Sequence, residues 1–311
     1  MSHPVVVVVG PTASGKSDLA IELALQFDGE VVNCDSVQVY RGLDIGTAKV
    51  PVDQRRGVPH HLLDVVDPRE RCTAGDYARL ARPVLAEIAE RGKLPIVAGG
   101  TGLYLRALTQ GLFAGPGKDE KLRRRLEASK HRRGPGHLHR MLTRLDPLAS
   151  ERIHANDHPK LIRALEVCLL GREPISKGFE RGRDTLEGFR FLKLGLDPPR
   201  AALIEKINLR ARALFDSGLV DEVRGLLASG VPKGSWALGS HGYRQAGELI
   251  SGGMTLEEAV DSTALVTRQY SKRQRTWFRR QEPEIQWLDG FGTESSVIAK
   301  AVDTVKIWLE Q

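Results

Sequence analysis

The segment from Val5 to Ser17 joins an aliphatic run to a glycine-rich loop of fixed spacing. Val5 to Val9 is an uninterrupted run of valine, which predicts a fully buried strand. The next eight residues, GPTASGKS, match the pattern G-x-x-x-x-G-K-[S/T], and apolar residues recur at helical spacing from Asp18 to Leu25. A strand, a glycine-rich loop and a helix in this order predict a phosphate-binding loop in a parallel sheet.

The glycine-rich loop predicts a binding site for a diphosphate. Backbone N–H groups at the start of a helix attract phosphate oxygens, and the Lys16 ammonium adds a positive charge. The Ser17 hydroxyl is a ligand that suits Mg²⁺, so we expect Mg²⁺ as the cofactor and Ser17 as its ligand. The candidate diphosphate-binding residues of the loop are Gly10, Thr12, Ala13, Ser14, Gly15, Lys16 and Ser17.

Predicted strands and helices alternate along most of the chain. After the first strand, further strands are expected at 30–34, 93–98 and 189–196, with helices at 74–91, 200–217 and 219–229. This alternation predicts an α/β fold, a mostly parallel sheet flanked by helices that is similar to a P-loop NTPase. Strand signals disappear from Gly115, and arginine-rich helical stretches follow. We therefore expect a catalytic core at 1–114 and 189–311, interrupted by a helical insertion at 115–188.

Two polar segments come directly after predicted strands. Asp35 ends the second strand, and Gly99–Gly100–Thr101–Gly102 follows the third. Because the carboxyl ends of parallel strands meet at one edge of the sheet, both segments are expected near the phosphate-binding loop. Asp35 could act as a general base, ligate Mg²⁺ through water, or simply cap a turn. The glycine segment could contact the diphosphate or form a plain turn.

Basic residues are concentrated in two parts of the chain. Residues 118–183 contain 17 Lys and Arg against 9 Asp and Glu, while the whole chain has a formal net charge of +7. A second group, Arg268 to Arg280, contains six basic residues and no acidic one, and four of them share one helical stripe. A solvated charged surface would explain both groups, but they are also where a nucleic acid would bind.

Several classes of protein are excluded or disfavoured. No apolar run approaches the roughly 20 residues that a membrane span needs, and the N-terminal residues do not match a secretory signal. The three cysteines are scattered, so we expect a reduced, cytoplasmic protein rather than a disulfide or zinc scaffold. The strand at 94–98 contains no acidic residue, which disfavours motor and switch NTPases. A small-molecule kinase with Asp35 as base and a transferase that holds a diphosphate leaving group both remain.

Motifs along nearly the whole chain resemble one family, the tRNA dimethylallyltransferases, in their bacterial form. The block from Asp35 to Lys49 (DSVQVYRGLDIGTAK) is specific to that family, whereas the phosphate-binding loop is shared with many kinases. The other matching segments are PHHLLD at 59–64, GGTGLY at 99–104, LIRALEV at 161–167, GYR at 242–244 and KRQRTWF at 272–278. Leu238 to His241 departs from the family pattern, which more often has an aliphatic residue directly before Gly242.

The resemblance implies a specific reaction and two substrates. The enzyme would transfer a dimethylallyl group from dimethylallyl diphosphate to the exocyclic amine of the adenosine 3′ of the tRNA anticodon, and would release diphosphate. Asp35 and Thr101 match the catalytic residues of the family, and Arg210 matches an arginine that contacts the diphosphate. The partners implied are the tRNA anticodon stem-loop and dimethylallyl diphosphate, with no membrane, and we expect a monomer.

The resemblance also implies a set of tRNA contacts. The target base must leave the stack of the anticodon loop to reach a buried site, so the protein should grip phosphates on both sides of it. The implied contacts are Asp35, Ser36, Val37, Gln38, Thr101, Arg123, Pro159, Lys160, Arg163, Tyr243, Arg244, Lys272, Arg273, Arg275 and Arg279.

Overall fold

A computed structural model describes residues 2–113, 115–134, 136–180 and 184–311 of the chain. The chain divides into two compact units, one formed by Met1–Thr109 with Leu186–Gln311 and the other by Gln110–Thr185. The insertion was predicted at 115–188, a few residues later at each end. Arg183, the last basic residue of the 118–183 stretch, and residue 114, the predicted end of the first core segment, lie outside the described residues.

A six-stranded parallel sheet forms the centre of the larger unit. Its strand order is β3-β2-β4-β1-β5-β6, and every neighbouring pair runs parallel. The strands are β1 (His3–Val9), β2 (Gly29–Asn33), β3 (His60–His61), β4 (Leu94–Gly99), β5 (Phe189–Leu196) and β6 (Gln286–Leu288). The predicted parallel sheet flanked by helices is confirmed.

The valine run of β1 is buried on both faces of the sheet. Val5, Val7 and Val9 pack into one hydrophobic core, and Val6 and Val8 pack into the core on the opposite face. This arrangement explains why the strand has no polar alternation, because a central parallel strand is covered on both sides. The helices of this unit are α1 (Lys16–Gln26), α2 (Ala74–Glu90), α3 (Gly102–Thr109), α9 (Arg200–Asp216), α10 (Leu219–Ala228), α11 (Tyr243–Ile250), α12 (Leu256–Gln281) and α13 (Ser295–Leu309).

The smaller unit is helical throughout its described part. Asp119, Asp146 and Asp157 each cap a helix by accepting a backbone N–H, which sets where three of the helices begin. Leu142, Leu161 and their neighbours form a separate hydrophobic core. The helices are α4 (Glu120–Arg133), α5 (His137–Leu145), α6 (Pro147–Arg152), α7 (His158–Gly171) and α8 (Ile175–Glu180).

Among the helices of the described chain, none combines the length and the mean hydropathy that crossing a bilayer requires.

Candidate active site

The phosphate-binding loop runs from the end of β1 to the start of α1, as the sequence predicts. Gly15 is the residue before α1 and has a left-handed backbone with φ of 84°. A side chain there would place its Cβ 3.0 Å from the backbone nitrogen of Gly292, so both the conformation and the packing favour glycine. The loop therefore presents its N–H groups at a helix N-terminus, where an anion is favoured.

Lys16 is folded back over the loop. Its Nζ donates a hydrogen bond to the backbone oxygen of Pro11 at 2.7 Å. Burial lowers the pKa of Lys16 to about 8, with the Asp35 carboxylate opposing the shift and the Arg210 guanidinium adding to it. These three charged groups, which are far apart in the sequence, are therefore close enough to interact.

Two cavities of the larger unit share part of their walls. The larger has a volume of about 710 Å³ and the smaller about 330 Å³. Lys16 and Ser17 line the smaller cavity, whereas Tyr270 and His241 line the larger one. The residues common to both walls are Thr12, Ala13, Asp35, Thr47 and Arg210. A diphosphate in the small cavity would therefore lie next to a larger chamber that a nucleobase could enter.

Asp35 follows β2 and points between these cavities. Its Oδ1 accepts hydrogen bonds from the backbone nitrogens of Val37 at 2.8 Å and Gln38 at 3.3 Å, so it caps a turn. In the described part of the chain, Oδ2 accepts no such bond from the protein. The capping role that the sequence left open is present, and it leaves one carboxylate oxygen for chemistry.

Arg210 reaches the same place from α9. Its Nη2 donates to the backbone oxygen of Thr47 at 3.2 Å, across 163 positions of sequence. Burial lowers the pKa of Arg210, and the Asp35 carboxylate opposes that shift. An arginine stays charged even so. Lys16 and Arg210 thus supply two positive charges at the junction of the cavities.

Thr101 lies beside the turn that Asp35 caps. Its Oγ1 accepts a hydrogen bond from the backbone nitrogen of Ser36 at 3.0 Å, and Tyr270 lies beside its side chain. The glycines around it are required by packing. A Cβ on Gly100 would lie 2.1 Å from the side-chain nitrogen of Gln274, and one on Gly102 would lie 2.1 Å from the Trp277 ring. Gly99, which precedes them, lines the smaller cavity.

Several residues that line the larger cavity were not selected from the sequence. His241 packs its ring edge-on against Tyr270, with 5.1 Å between centroids, and Trp236 covers the guanidinium of Arg71 at 4.1 Å. Burial lowers the pKa of His241, and Arg273 and Arg244 add to the shift. His241 is also the position where the chain departs from the family pattern. That departure was the one sequence signal that pointed to this wall.

The implied tRNA contacts fall into different environments. Ser36 and Val37 line the larger cavity, Gln38 lines the smaller one, and Arg244, Lys272 and Arg273 are exposed. Arg275 donates to Asp197 at 2.8 Å, and Arg279 pairs with the same carboxylate. The expectation for Tyr243 has to be corrected. Tyr243 is 1% exposed, and its hydroxyl donates a hydrogen bond to Glu222. Its side chain is therefore too deeply buried to contact RNA.

The tRNA contacts implied in the smaller unit lie on α4 and α7. Pro159 and Lys160 are in the first turn of α7, where Lys160 pairs with Asp157. Arg123 binds both carboxylate oxygens of Glu166 at 2.8 Å, and Arg163 donates to the same carboxylate at 2.7 Å. Glu166 is fully buried. The two arginines therefore neutralise a buried charge within this unit.

A parallel sheet with a phosphate-binding loop, two cations and a carboxylate at the same cavity junction defines a P-loop enzyme acting at a diphosphate. A family model described as IPP transferase matches residues 38–281, and one described as isopentenyl transferase matches residues 3–63. The chain belongs to the IPP transferase family. The prediction of a tRNA dimethylallyltransferase with a P-loop NTPase-like fold is confirmed, and the alternative of a small-molecule kinase is not favoured.

Individual relatives are similar over nearly the whole chain. The tRNA dimethylallyltransferase of Solibacter usitatus is 54% identical over 99% of this chain and 100% of its own length. A crystal structure of the tRNA isopentenylpyrophosphate transferase of Bacillus halodurans has a TM-score of 0.73 at 37% identity, covering 99% of this chain and 97% of its own. A eukaryotic dimethylallyltransferase acting on tRNA has a TM-score of 0.83 at 28% identity, covering 98% and 80%.

The lowered pKa of Lys16 predicts a pH dependence of diphosphate binding. The ammonium is charged below pH 8 and loses its proton above it, so the affinity for inorganic pyrophosphate should fall as pH rises through about 8. We expect the dissociation constant, measured by calorimetry without metal, to rise up to about tenfold per pH unit beyond that point. Lys16→Arg, which stays charged, should keep only the pH dependence that arises from the ionisation of pyrophosphate itself. Parallel pH profiles of wild type and Lys16→Arg from pH 7 to 9 would contradict the role of Lys16.

Proposed function

We propose that this enzyme uses the junction of its two cavities to transfer a dimethylallyl group from dimethylallyl diphosphate to the N6 amine of the adenosine 3′ of a tRNA anticodon. The observation that supports this site is the shared wall, which carries Asp35 and Arg210, while Lys16 lines the adjoining smaller cavity and interacts electrostatically with both. The diphosphate binds in the smaller cavity, on the loop N–H groups. The adenine enters the larger cavity.

The reaction needs a base at the amine and positive charge at the leaving group. The bond from N6 to the first carbon of the dimethylallyl group forms while the bond from that carbon to the diphosphate oxygen breaks. Oδ2 of Asp35 takes the proton that N6 loses, because Oδ1 is held by the turn. Lys16 and Arg210 stabilise the charge that develops on the departing diphosphate. Thr101 lies one hydrogen bond from this turn and is positioned by Ser36.

Ser17 is the residue that would hold Mg²⁺. Ser17 lines the smaller cavity together with Asp18 and Asp35. Oxygen donors of this kind suit a hard cation that keeps some of its waters. No group of three or more His, Cys, Asp or Glu residues with metal-site geometry occurs among the described residues, so diphosphate oxygens would complete the coordination. When bound, the ion would neutralise part of the charge on the leaving group.

Exposed basic residues in each unit are the proposed contacts for phosphates of the anticodon stem-loop. In the larger unit they include Arg244, Lys272 and Arg273, and in the smaller unit Lys160 on α7 and exposed basic residues of α4. Their phosphate contacts would hold the loop while the adenosine turns out of its stack. We place the enzyme in the cytoplasm because its three cysteines are unpaired thiols.

The proposal is tested by mass spectrometry of nucleosides. An anticodon stem-loop with adenosine 3′ of the anticodon is incubated with the protein, dimethylallyl diphosphate and Mg²⁺, without ATP. We expect dimethylallyl adenosine, since the diphosphate ester supplies all the free energy that the transfer needs. The matched control carries guanosine at that position and lacks the N6 amine, so it should stay unmodified. No prenylated RNA in this reaction, together with phosphate transfer to a small molecule in a parallel reaction that contains ATP, would overturn the proposal.

A further inference from the structure

Helix α12 presents one stripe of side chains to the loops around the active site. Tyr270, Gln274 and Trp277 follow one another at spacings of four and three residues, which places them on one helical face. Tyr270 lies beside Thr101, and Trp277 packs on Gly102. Gln274 lies between them and is 5% exposed. A position so deeply buried is unsuited to contact RNA, although it lies within a family motif otherwise rich in basic residues.

Gln274 joins two loops that come from different strands. Its Oε1 accepts the backbone N–H of Thr12 in the phosphate-binding loop at 2.8 Å, and its Nε2 donates to the backbone oxygen of Gly100 at 2.9 Å. A backbone N–H can only donate and a backbone oxygen can only accept, so the two partners fix the orientation of the amide. A side chain with one donor and one acceptor at these positions is therefore needed.

The fit is close on the Gly100 side. A Cβ at position 100 would lie 2.1 Å from Nε2 of Gln274. Any residue other than glycine at this position would therefore clash with the amide. The phosphate-binding loop and the segment that carries Thr101 are thus held at a fixed separation. The first of these segments binds the leaving group, and the second lies beside the turn that carries Asp35.

We propose that Gln274 is a positioning residue, which sets the distance between the diphosphate and the catalytic groups Asp35 and Thr101. This inference rests on the proposed function. A displacement of about 1 Å between reacting groups costs on the order of 10²-fold in rate, so even a small change in the separation should slow transfer. The binding of each substrate alone depends less on the separation of the two loops, because each substrate contacts mainly one side of the junction.

Gln274→Glu is the sharpest test, since it changes one nitrogen to oxygen. The carboxylate still accepts the Thr12 N–H but faces the Gly100 oxygen with a second acceptor. We expect the single-turnover rate of prenyl transfer to fall 10- to 100-fold, while the dissociation constants for inorganic pyrophosphate and for the stem-loop change by less than about threefold. Gln274→Met, which has a similar length and no hydrogen bonds, should show the same division between rate and binding.

Gln269→Glu is the matched control. It makes the same chemical change at an exposed position of the same helix and should leave the rate unchanged. A Gln274→Glu rate within threefold of the wild type would overturn the positioning role, as would unfolding of both Gln274 variants, which would make the residue merely structural. Failure of the wild type itself to prenylate the stem-loop would instead overturn the proposed function, so the two failures are distinguishable.

Discussion

Asp35→Asn is expected to lower the single-turnover rate of prenyl transfer by roughly 10²–10⁴, the usual contribution of a positioned general base. The substituted amide oxygen can still accept the N–H groups of Val37 and Gln38, so the turn should persist. What the variant loses is the second carboxylate oxygen and its capacity to take a proton from N6. Rapid mixing of the enzyme with dimethylallyl diphosphate and a saturating stem-loop measures this rate.

The controls for this experiment separate chemistry from folding. Affinities for pyrophosphate and for the stem-loop should remain near wild-type values in Asp35→Asn. Asp35→Ala removes the cap as well, and should therefore also lower the free energy of unfolding by about 1 kcal/mol. A rate for Asp35→Asn close to that of the wild type would remove this carboxylate from the mechanism.

Replacing Arg123 and Arg163 together by alanine should strongly destabilise the smaller unit. The hydrogen bonds from these arginines and from the Asp119 backbone outweigh the effect of burial and lower the pKa of Glu166 to about 2. Without the arginines, a fully buried carboxylate is left unpaired. We expect a loss of roughly 3 kcal/mol, at the lower end for a broken buried pair because the guanidinium groups are partly exposed. Urea denaturation, with proteolysis of residues 110–185 as a second readout, measures it.

An exposed pair on the same helix provides the matched control. Arg124 and Arg125 lie on α4 beside Arg123 and are exposed. Alanine at both positions should leave stability nearly unchanged, but should reduce the salt dependence of stem-loop binding by about one unit of log-log slope per lost phosphate contact. Adding Glu166→Gln to the destabilised variant should restore part of the stability. If the Arg123 and Arg163 variant keeps wild-type stability, their ion pairs with Glu166 contribute little.

The sequence predicted the fold well where the signal was local. The valine run, the loop spacing and the helical periodicity each lie within a few neighbouring residues, so β1, α1 and α2 were assigned close to their observed bounds. The short strands β3 and β6 were missed because two or three residues carry no periodicity. Both pair with strands that are distant in the sequence. In the case of β6 the partner is β5, and α9 to α12 lie between the two strands along the chain.

The candidate site was predictable only in part. The phosphate-binding loop and Asp35 followed from patterns, and Arg210 from the family resemblance. Gln274 was not predicted as a site residue, because its hydrogen bond to Thr12 spans 262 positions and no local sequence pattern in either segment indicates it. Tyr243 was misjudged for a related reason. Its motif resembles an RNA contact, but the residue is buried against Gly46, where a Cβ would lie 2.3 Å from the Tyr243 ring.

The strand order has a consequence for how the protein is made on the ribosome. β1 lies between β4 and β5, and β5 is synthesised only after the whole insertion. Until residue 196 emerges, one edge of the valine strand has no partner, and an unpaired apolar edge invites pairing with other chains. The nascent chain should therefore be prone to aggregation through this interval. A chain stopped near residue 185 would keep the strand in that state permanently.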